Sequence, residues 1–247
     1  MTHHILGIDI GGTGIKGAVV DTLTGKLIGE KHKIKTPETS TPEAVLNVVK
    51  KMIEHFGWQG KTIGFGFPAI VKDGVSLTAA NIHPEWVNFP VKEFFTENLN
   101  VQVNVINDAD AAGLAEMSFG DIKDKHGTII FLTLGTGIGS ALFYEGRLIP
   151  NTEFGWIPYK KSIVEHYASN KARETKRLSW AKWAAELDSV LHIINRLMAP
   201  QMIILGGGVS KEFSKYSSFL TQKVPVIPAV LKNDAGIIGA AMSCSDL

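Results

Sequence analysis

Two short glycine-rich stretches contain the residue types that could bind a phosphate group. They run from Gly11 to Gly17 and from Gly135 to Gly139, and both contain the sequence Gly-Thr-Gly-Ile. Glycines let backbone N–H groups approach a phosphate closely, and Thr13, Thr136 or Lys16 could add side-chain donors. A single stretch of this kind is also typical of an ordinary β-hairpin, in which glycine supplies a positive φ. Because the pattern occurs twice, we favour a pair of phosphate-binding turns and hence an enzyme of phosphoryl transfer.

The first stretch can also be compared with two other phosphate-binding motifs, and both fit poorly. Gly12, Gly14 and Gly17 match the spacing of the dinucleotide-binding fingerprint, which requires a helix that starts within the glycines. Here a β-rich run, residues 15–20, follows the turn instead. Lys16 lacks the preceding glycine and the following Ser or Thr of a Walker A motif. The sequence therefore favours a hairpin that binds phosphate through its backbone.

A second candidate is the pair Asn107-Asp108, which follows a predicted buried strand and precedes a predicted helix. Either residue could simply cap that helix, because Asn and Asp are preferred N-caps. A carboxylate at the carboxyl end of a strand could instead serve as a general base for a sugar hydroxyl, which contributes about 10²–10⁴-fold to the rate. Asp9 takes the matching place before the first glycine turn. There it could orient a magnesium ion through water, or cap the turn.

These residues are positioned by a strand–glycine turn–strand–turn–strand pattern that occurs twice. The predicted strands of the two copies are residues 5–10, 15–20 and 26–34, then 128–134, 138–144 and a short third strand after Gly146. Further strands are predicted at 62–67, 101–106 and 202–205. The repeat predicts two related α/β domains, residues 1–119 and 120–233, with a cleft between them.

Helices are predicted where apolar residues recur every three to four positions between capping residues. The predicted helices are one from Pro42 to Gly57 with Thr41 as N-cap, one from Asn107 or Asp108 to Phe119, one over residues 179–198 that ends before Pro200, one opened by Gly206 to Gly208, and a last one capped by Asn233 and Asp234.

The composition excludes several classes of function. The chain has 247 residues, 45% of them hydrophobic, and a formal net charge of +1, so no global field recruits nucleic acid or a membrane. The apolar run 128–143 is too short and too rich in glycine to span a bilayer. The N-terminus has no basic-then-apolar leader, and the lone cysteine, Cys244, cannot form an internal disulfide. We therefore expect a cytoplasmic protein with no nucleic-acid or membrane partner.

Together these motifs resemble those of the ROK sugar kinases, a family of the actin/hexokinase/Hsp70 superfamily. The resemblance rests on DIGGTGIK at 9–16, NDA at 107–109, LGTGIG at 134–139 and LGGG at 205–208. Within the family, the chain is similar to the polyphosphate glucokinases through TAAN at 78–81, NTEFG at 151–155, LSWAKW at 178–183 and NDAG at 233–236. The resemblance implies a two-domain actin-like ATPase fold of the α/β class with a central interdomain cleft. It also implies that a last helix, about 234–247, packs on the N-terminal domain.

The resemblance further implies a role for each candidate residue in a kinase that phosphorylates the 6-hydroxyl of glucose or a related hexose. Asp108 would be the general base. The residues that would contact the rest of the sugar are Asn81, Asn107, Glu153, Glu165 and Trp156. The donor, polyphosphate or ATP, would be held with Mg²⁺ by the two turns, whose residues are Asp9, Gly11, Gly12, Thr13, Gly14, Lys16, Thr133, Gly135, Thr136 and Gly137. Gly206, Gly207 and Gly208 would lie under adenosine when ATP is the donor, with a helix N-terminus facing the nucleotide.

The sequence departs from the family pattern in three places. It lacks the cysteines of the family's zinc motif, so we expect no structural zinc. Trp156 stands where the family has a histidine that touches the sugar, and Ala69 replaces a glycine close to the sugar. Both replacements leave open the identity of the hexose and a different class of function, a catalytically silent sugar-binding sensor.

The choice between polyphosphate and ATP also stays open at the level of sequence. A polyanion requires a channel lined by cations, and six cations cluster in one segment: Lys160, Lys161, Lys171, Arg173, Lys176 and Arg177. Such a run more often forms a solvated surface. We expect a homodimer, because the helix over 179–198 would have an exposed face and because the resembled family commonly forms dimers.

Overall fold

The computed structural model describes residues 3–59, 62–80 and 82–244, along which strands alternate with helices. The strands are β1 (His4–Ile10), β2 (Ile15–Asp21), β3 (Lys26–Ile34), β4 (Thr62–Phe67), β5 (Val71–Lys72), β6 (Val75–Ser76), β7 (Gln102–Asn107), β8 (Thr128–Leu134), β9 (Ile138–Tyr144), β10 (Arg147–Ile149), β11 (Pro158–Tyr159), β12 (Ser162–Ile163), β13 (Met202–Gly206) and β14 (Val226–Pro228). The helices are α1 (Pro42–Phe56), α2 (Val91–Leu99), α3 (Asp108–Phe119), α4 (Glu165–Ala168), α5 (Asn170–Thr175), α6 (Trp180–Met198) and α7 (Ala235–Met242). Short 3₁₀ helices lie at Pro84–Trp86, Phe154–Trp156, Gly208–Lys215, Ser217–Phe219 and Lys232–Asp234. Over the described ranges, no helix has the length and apolar character needed to cross a membrane.

These elements divide between two compact units. The first unit comprises Met1–Phe119 together with Asp234–Leu247, and the second comprises Gly120–Asn233. Helix α7 therefore belongs to the first unit, where it packs against α3, β1 and β4.

The sheet of the first unit has the strand order β3-β2-β1-β4-β7. Strands β1, β2 and β3 pair antiparallel, as expected for hairpins closed by glycine turns, whereas β4 and β7 run parallel to β1. Asp9 lies opposite Lys16 on β2 and opposite Gly66 on β4. Because parallel strands end at the same edge of a sheet, the carboxyl ends of β1, β4 and β7 meet there. This edge brings Asp9 and the pair Asn107-Asp108 to the same side of the unit.

Helices cover both faces of this sheet. Helix α1 begins at Pro42, where the Thr41 hydroxyl accepts the N–H of Ala44 (3.4 Å), and it ends at Gly57 with φ 53°. Its buried residues join β1, β4 and α2 in one apolar core. On the other face α7 lies very close to the strands, since an added Cβ at Gly7 or Gly64 would overlap the carbonyls of Ile237 or Ala240. The glycines of β1 and β4 therefore fix the position of α7.

The second unit repeats this arrangement. Its sheet has the order β10-β9-β8-β13-β14, with β8, β9 and β10 antiparallel and β13 and β14 parallel to β8. Helix α6 follows its N-cap Ser179 and buries Trp183, Leu187 and Leu191 in the core of this unit. The two sheets confirm the repeat that was predicted from the glycine-rich stretches.

Two predicted helices differ in detail in the structure. A helix begins after Gly206-Gly207 as predicted, but it is a 3₁₀ helix, Gly208–Lys215, with a kink at Glu212, whose dihedral angles are non-helical. Asp234 precedes α7 but makes no side-chain cap bond. Its carboxylate accepts the Lys31 ammonium instead (2.5 Å), which ties the start of α7 to β3.

Candidate active site

The first glycine turn is a small hydrogen-bonded loop between β1 and β2. The N–H of Gly11 donates to the carbonyl of Gly14 (3.2 Å), and the carbonyl of Gly11 accepts the hydroxyl of Thr36 (2.5 Å). Gly12 and Thr13 at its tip are exposed. The turn is therefore closed by its own backbone hydrogen bond and has its tip open to solvent.

An ion pair lies beside this turn. The Lys16 ammonium donates to the Asp9 carboxylate (3.1 Å), and both side chains are largely shielded from solvent, with exposures of 29% and 15%. Gly236 in the first turn of α7 lies against the same carboxylate, since an added Cβ there would be 3.1 Å from Asp9 Cγ. The Asp9 and Lys16 side chains are thus held together beside the turn, with Gly236 packed against the carboxylate.

Asn107 and Asp108 have different positions at the start of α3. Asn107 is the cap: its side-chain oxygen accepts the N–H groups of Ala109 (2.9 Å) and Asp110 (3.0 Å). Its amide donates to the carbonyl of Ala69 (3.0 Å), and the residue is 6% exposed. Asp108, which is half-buried, accepts the N–H of Ala109 (2.8 Å). The side chain of Asn107 is thus largely committed to the backbone, while Asp108 is the carboxylate at the edge of the sheet.

A cavity of about 470 Å³ opens beside the first glycine turn. Gly12 and Thr13 line one side of it, residues 35–40 line another, and Ala80, Ile82 and His83 line a third. Asn81, a predicted sugar ligand, lies outside the described residues. Ala69, which replaces the family glycine, is 4% exposed and bonded through its carbonyl to Asn107.

The second glycine turn is also closed by a backbone hydrogen bond, but its loop is one residue shorter. The N–H of Gly135 donates to the carbonyl of Gly137 (3.0 Å), and the carbonyl of Gly135 accepts the N–H of Lys171 (3.0 Å). Thr136 at its tip is exposed, and Thr133 is the last residue but one of the preceding strand, which ends at Leu134. The Gly206 to Gly208 segment is close to this turn, because Gly207 (φ 79°) lies against the backbone of Leu134. The structure thus brings the predicted donor residues of the second unit together.

Two carboxylates lie near the second turn. Glu165 begins α4, and its Oε2 accepts the N–H of Ile138 (3.3 Å) directly after Gly137. Glu153 precedes the 3₁₀ helix that contains Trp156, and burial together with the neighbouring Glu165 carboxylate raises the pKa of Glu153. Trp156 itself is 54% exposed. The two carboxylates thus form an acidic pair beside the second turn.

The side chains of three of the six cations over residues 160–177 have partners within their own surroundings. Lys160 contacts Glu186 (2.6 Å), and Lys176 donates to the carbonyl of His166 (2.6 Å). Arg173 stacks over the ring of Trp180, 4.1 Å from its centroid. These contacts favour the interpretation of the cluster as a structural surface rather than a channel for a polyanion.

The predicted site residues therefore form two groups, one in each unit. Asp9, the first glycine turn, Lys16, Asn107 and Asp108 share the first unit, and the second turn, Glu153, Trp156, Glu165 and the Gly206 to Gly208 segment share the second. Sequence reasoning missed Lys33 and Thr36, both of which contact the first turn. The alternation of lysines at 31, 33 and 35 was the available signal. No group of three or more His, Cys, Asp or Glu side chains suited to a metal ion occurs among the residues described.

Comparison with known proteins identifies the class of this fold. The chain is 42% identical in sequence to a solved inorganic polyphosphate/ATP-glucomannokinase from Arthrobacter sp. strain KM. The two structures have a TM-score of 0.93, and the match covers 97% of each chain. A ROK family glucokinase from Streptomyces griseus, solved with glucose and AMPPNP, has a TM-score of 0.81 at 25% identity and covers 96% of this chain and 98% of its own. The fold is the α/β fold of the actin-like ATPases and hexokinases.

The family follows from the sequence match. The model of the ROK family matches residues 5–155. A polyphosphate glucokinase from Mycobacterium tuberculosis is 42% identical over 242 residues, which cover 98% of this chain and 91% of the relative. This chain belongs to the ROK family, and the predicted resemblance is confirmed.

Proposed function

We propose that this protein is a hexose kinase that transfers a phosphoryl group from polyphosphate or ATP to the 6-hydroxyl of glucose or a related hexose. The observation that carries the proposal is the placement of Asp108 on the same sheet edge as Asp9 and the first glycine turn. A general base and a phosphate-binding turn on one edge are the two parts that phosphoryl transfer to a hydroxyl requires. The names of the relatives, polyphosphate glucokinase and polyphosphate/ATP-glucomannokinase, support the same activity.

In this mechanism Asp108 accepts the proton of the sugar 6-hydroxyl while the hydroxyl oxygen forms a bond to the phosphorus atom that is transferred. The bond from phosphorus to the bridging oxygen of the donor breaks, and the shortened polyphosphate or ADP leaves. Backbone N–H groups of the first turn and the Lys16 ammonium bind the phosphate oxygens on which negative charge is distributed. Asn107 fixes the start of α3 and thereby the position of Asp108.

The residues of the second unit supply the remaining contacts of the proposal. Thr133, Gly135, Thr136 and Gly137 bind donor phosphate, and Gly206 to Gly208 lie under adenosine when ATP is the donor. Four residues form hydrogen bonds with the other sugar hydroxyls: Glu153, Glu165, Asn81 and Asn107. Trp156 contacts the face of the sugar ring.

Magnesium fits the donor set of the first unit. Mg²⁺ in proteins is typically held by one or two carboxylates together with substrate phosphates, and Asp9 offers one carboxylate beside the phosphate-binding turn. The ion would neutralise charge on the donor phosphates. We further propose a cytoplasmic homodimer, in keeping with the lone, buried Cys244 and the family.

The test is a coupled assay of sugar phosphate formation with glucose, mannose and N-acetyl sugars, each with ATP and with polyphosphate. Asp108→Asn should lower kcat at least about a hundredfold, the lower end for loss of a general base, while sugar binding measured by calorimetry largely persists. Asp121→Asn, an exposed acid of the second unit, is the matched control and should leave kcat unchanged.

The outcomes distinguish a hexose kinase from a catalytically silent sugar-binding sensor. Near-normal turnover of Asp108→Asn contradicts the assignment of the base. Sugar binding by the wild-type protein without product from any sugar–donor pair contradicts the kinase and favours a catalytically silent sensor.

A further inference from the structure

A row of lysines runs along β3 beside the first glycine turn. Lys31 and Lys33 alternate on the strand and therefore point to the same face, and Lys35 follows directly after it. Lys16 on β2 lies opposite Lys33. Two lysines directly opposite each other on neighbouring strands repel, and here the Asp9 carboxylate offsets the charge of Lys16 but lies on the far side of β2 from Lys33.

Two of these lysines reach the turn and the cavity beside it. The side chain of Lys33 passes over Gly14, since a Cβ added there would lie 2.5 Å from Lys33 Cε and 3.4 Å from its Nζ. Lys35 lines the cavity together with Gly12 and Thr13. The hydrogen bond from Thr36 to Gly11 fastens this end of the strand to the turn. The backbone that carries Lys33 and Lys35 is thus held beside the first glycine turn.

The charges of the row are only partly compensated. Lys16 is paired with Asp9, and Lys31 is paired with Asp234. In the part of the chain that the structure describes, neither Lys33 nor Lys35 lies within salt-bridge distance of a carboxylate. Glu38 is the acidic residue among those that line the cavity. Lys160, in contrast to Lys33 and Lys35, forms a salt bridge with a carboxylate, that of Glu186.

We propose that Lys33 and Lys35 extend the donor site beyond the glycine turn and bind internal phosphates of a linear polyphosphate. The inference rests on the proposed function, since it concerns the donor of that reaction. Residues two positions apart on a strand are separated by about 7 Å, so the row follows an extended chain rather than one phosphate. A nucleoside triphosphate ends after three phosphates, whereas a long polyphosphate continues along the row. Lys33 and Lys35 would therefore favour long-chain polyphosphate over ATP.

The experiment compares the double variant Lys33→Gln/Lys35→Gln with Lys26→Gln, which removes an exposed lysine at the opposite end of the same strand. Binding of end-labelled long-chain polyphosphate is followed by fluorescence anisotropy over a series of salt concentrations. The double variant should bind the long chain roughly 3- to 30-fold more weakly, as expected for two exposed ion contacts. Its slope of log Kd against log salt should become shallower by roughly 0.7–0.9 per lysine removed, the value for linear nucleic-acid polyanions.

Activity assays then separate the site on β3 from the donor turn. The KM of the double variant should rise for long-chain polyphosphate and change by less than about twofold for tripolyphosphate and ATP. An equal rise for all three donors would place the lysines at the terminal phosphates and overturn the inference. Unchanged long-chain binding and salt slope, or no polyphosphate binding by the wild-type protein, would overturn it as well. A wild-type protein that binds long-chain polyphosphate but phosphorylates no sugar would contradict the proposed function and leave the lysine site supported.

Discussion

Replacement of Asn107 tests how the fold positions the candidate base. Its side chain makes three hydrogen bonds: two accepted from the N–H groups of Ala109 and Asp110, and one donated to the carbonyl of Ala69. Loss of an N-cap costs about 0.5–2 kcal/mol. An unpaired buried carbonyl costs about 1–3 kcal/mol more, and Ala69 is buried. Asn107→Ala should therefore lower the free energy of unfolding by about 1.5–5 kcal/mol, the sum of these two ranges.

A graded series separates the two contributions. Asn107→Ser keeps an oxygen that can cap α3 but loses the donor to Ala69, so its loss should be about 1–3 kcal/mol. Asn98→Ala removes an exposed asparagine of α2 and should change stability by less than about 0.5 kcal/mol. Urea unfolding followed by tryptophan fluorescence provides the free energies. Equal losses for the Ser and Ala variants, or a loss below 0.5 kcal/mol for Asn107→Ala on the scale of surface substitutions, would refute the capping account.

Two further predictions concern packing and charge. Gly64→Ala should destabilise the protein by about 1–3 kcal/mol, because the added methyl meets the backbone of Ala240. Gly208→Ala, where the added methyl has open space, should not, and a melting temperature equally lowered in both variants would contradict this account. Burial and Glu165 raise the pKa of Glu153, so its contribution to stability is present below its unfolded pKa and is lost as the pH rises through its folded pKa. The stability of Glu153→Gln relative to wild type should therefore increase as the pH rises from about 4 towards about 7, through and above the ordinary carboxylate pKa. The exposed Glu97→Gln should show no such increase. Parallel curves of stability against pH for wild type and Glu153→Gln would count against the raised pKa.

The parts of the fold that the sequence predicted are those governed by local patterns. The hairpins follow from period-two alternation and glycine turns. Helix α1 is capped by the predicted residues, Thr41 and Gly57, because each cap acts within one helical turn. The parts it missed depend on contacts between distant positions. Asp234 was predicted to cap α7, yet its partner is Lys31, 203 positions away. Thr36 reaches Gly11 across 25 positions.

The same distinction explains the candidate site. Asn107 and Asp108 were both recognised, but which of them caps α3 depends on a third residue, Ala69, that holds the amide of Asn107. The helix predicted after Gly206 to Gly208 is present as a 3₁₀ helix, but the kink at Glu212 was not predicted from the sequence. Lysines at alternate positions on β3 were visible in the sequence. Their relation to the turn depends on the pairing of β2 with β3 and on the contact of Lys33 with Gly14.

The repeat also clarifies how the two turns differ. Asp9 and Lys16 face each other one residue before the first turn, and the corresponding positions before the second turn are Thr133 and Gly139. Of the two turns, only the first therefore has an ion pair at these positions. An added cation row on β3 has no counterpart on the short β10, which spans Arg147–Ile149. The repeated backbone thus accounts for the presence of a glycine turn in each unit, and the charged side chains of the first unit are the basis of the proposed preference among phosphate donors.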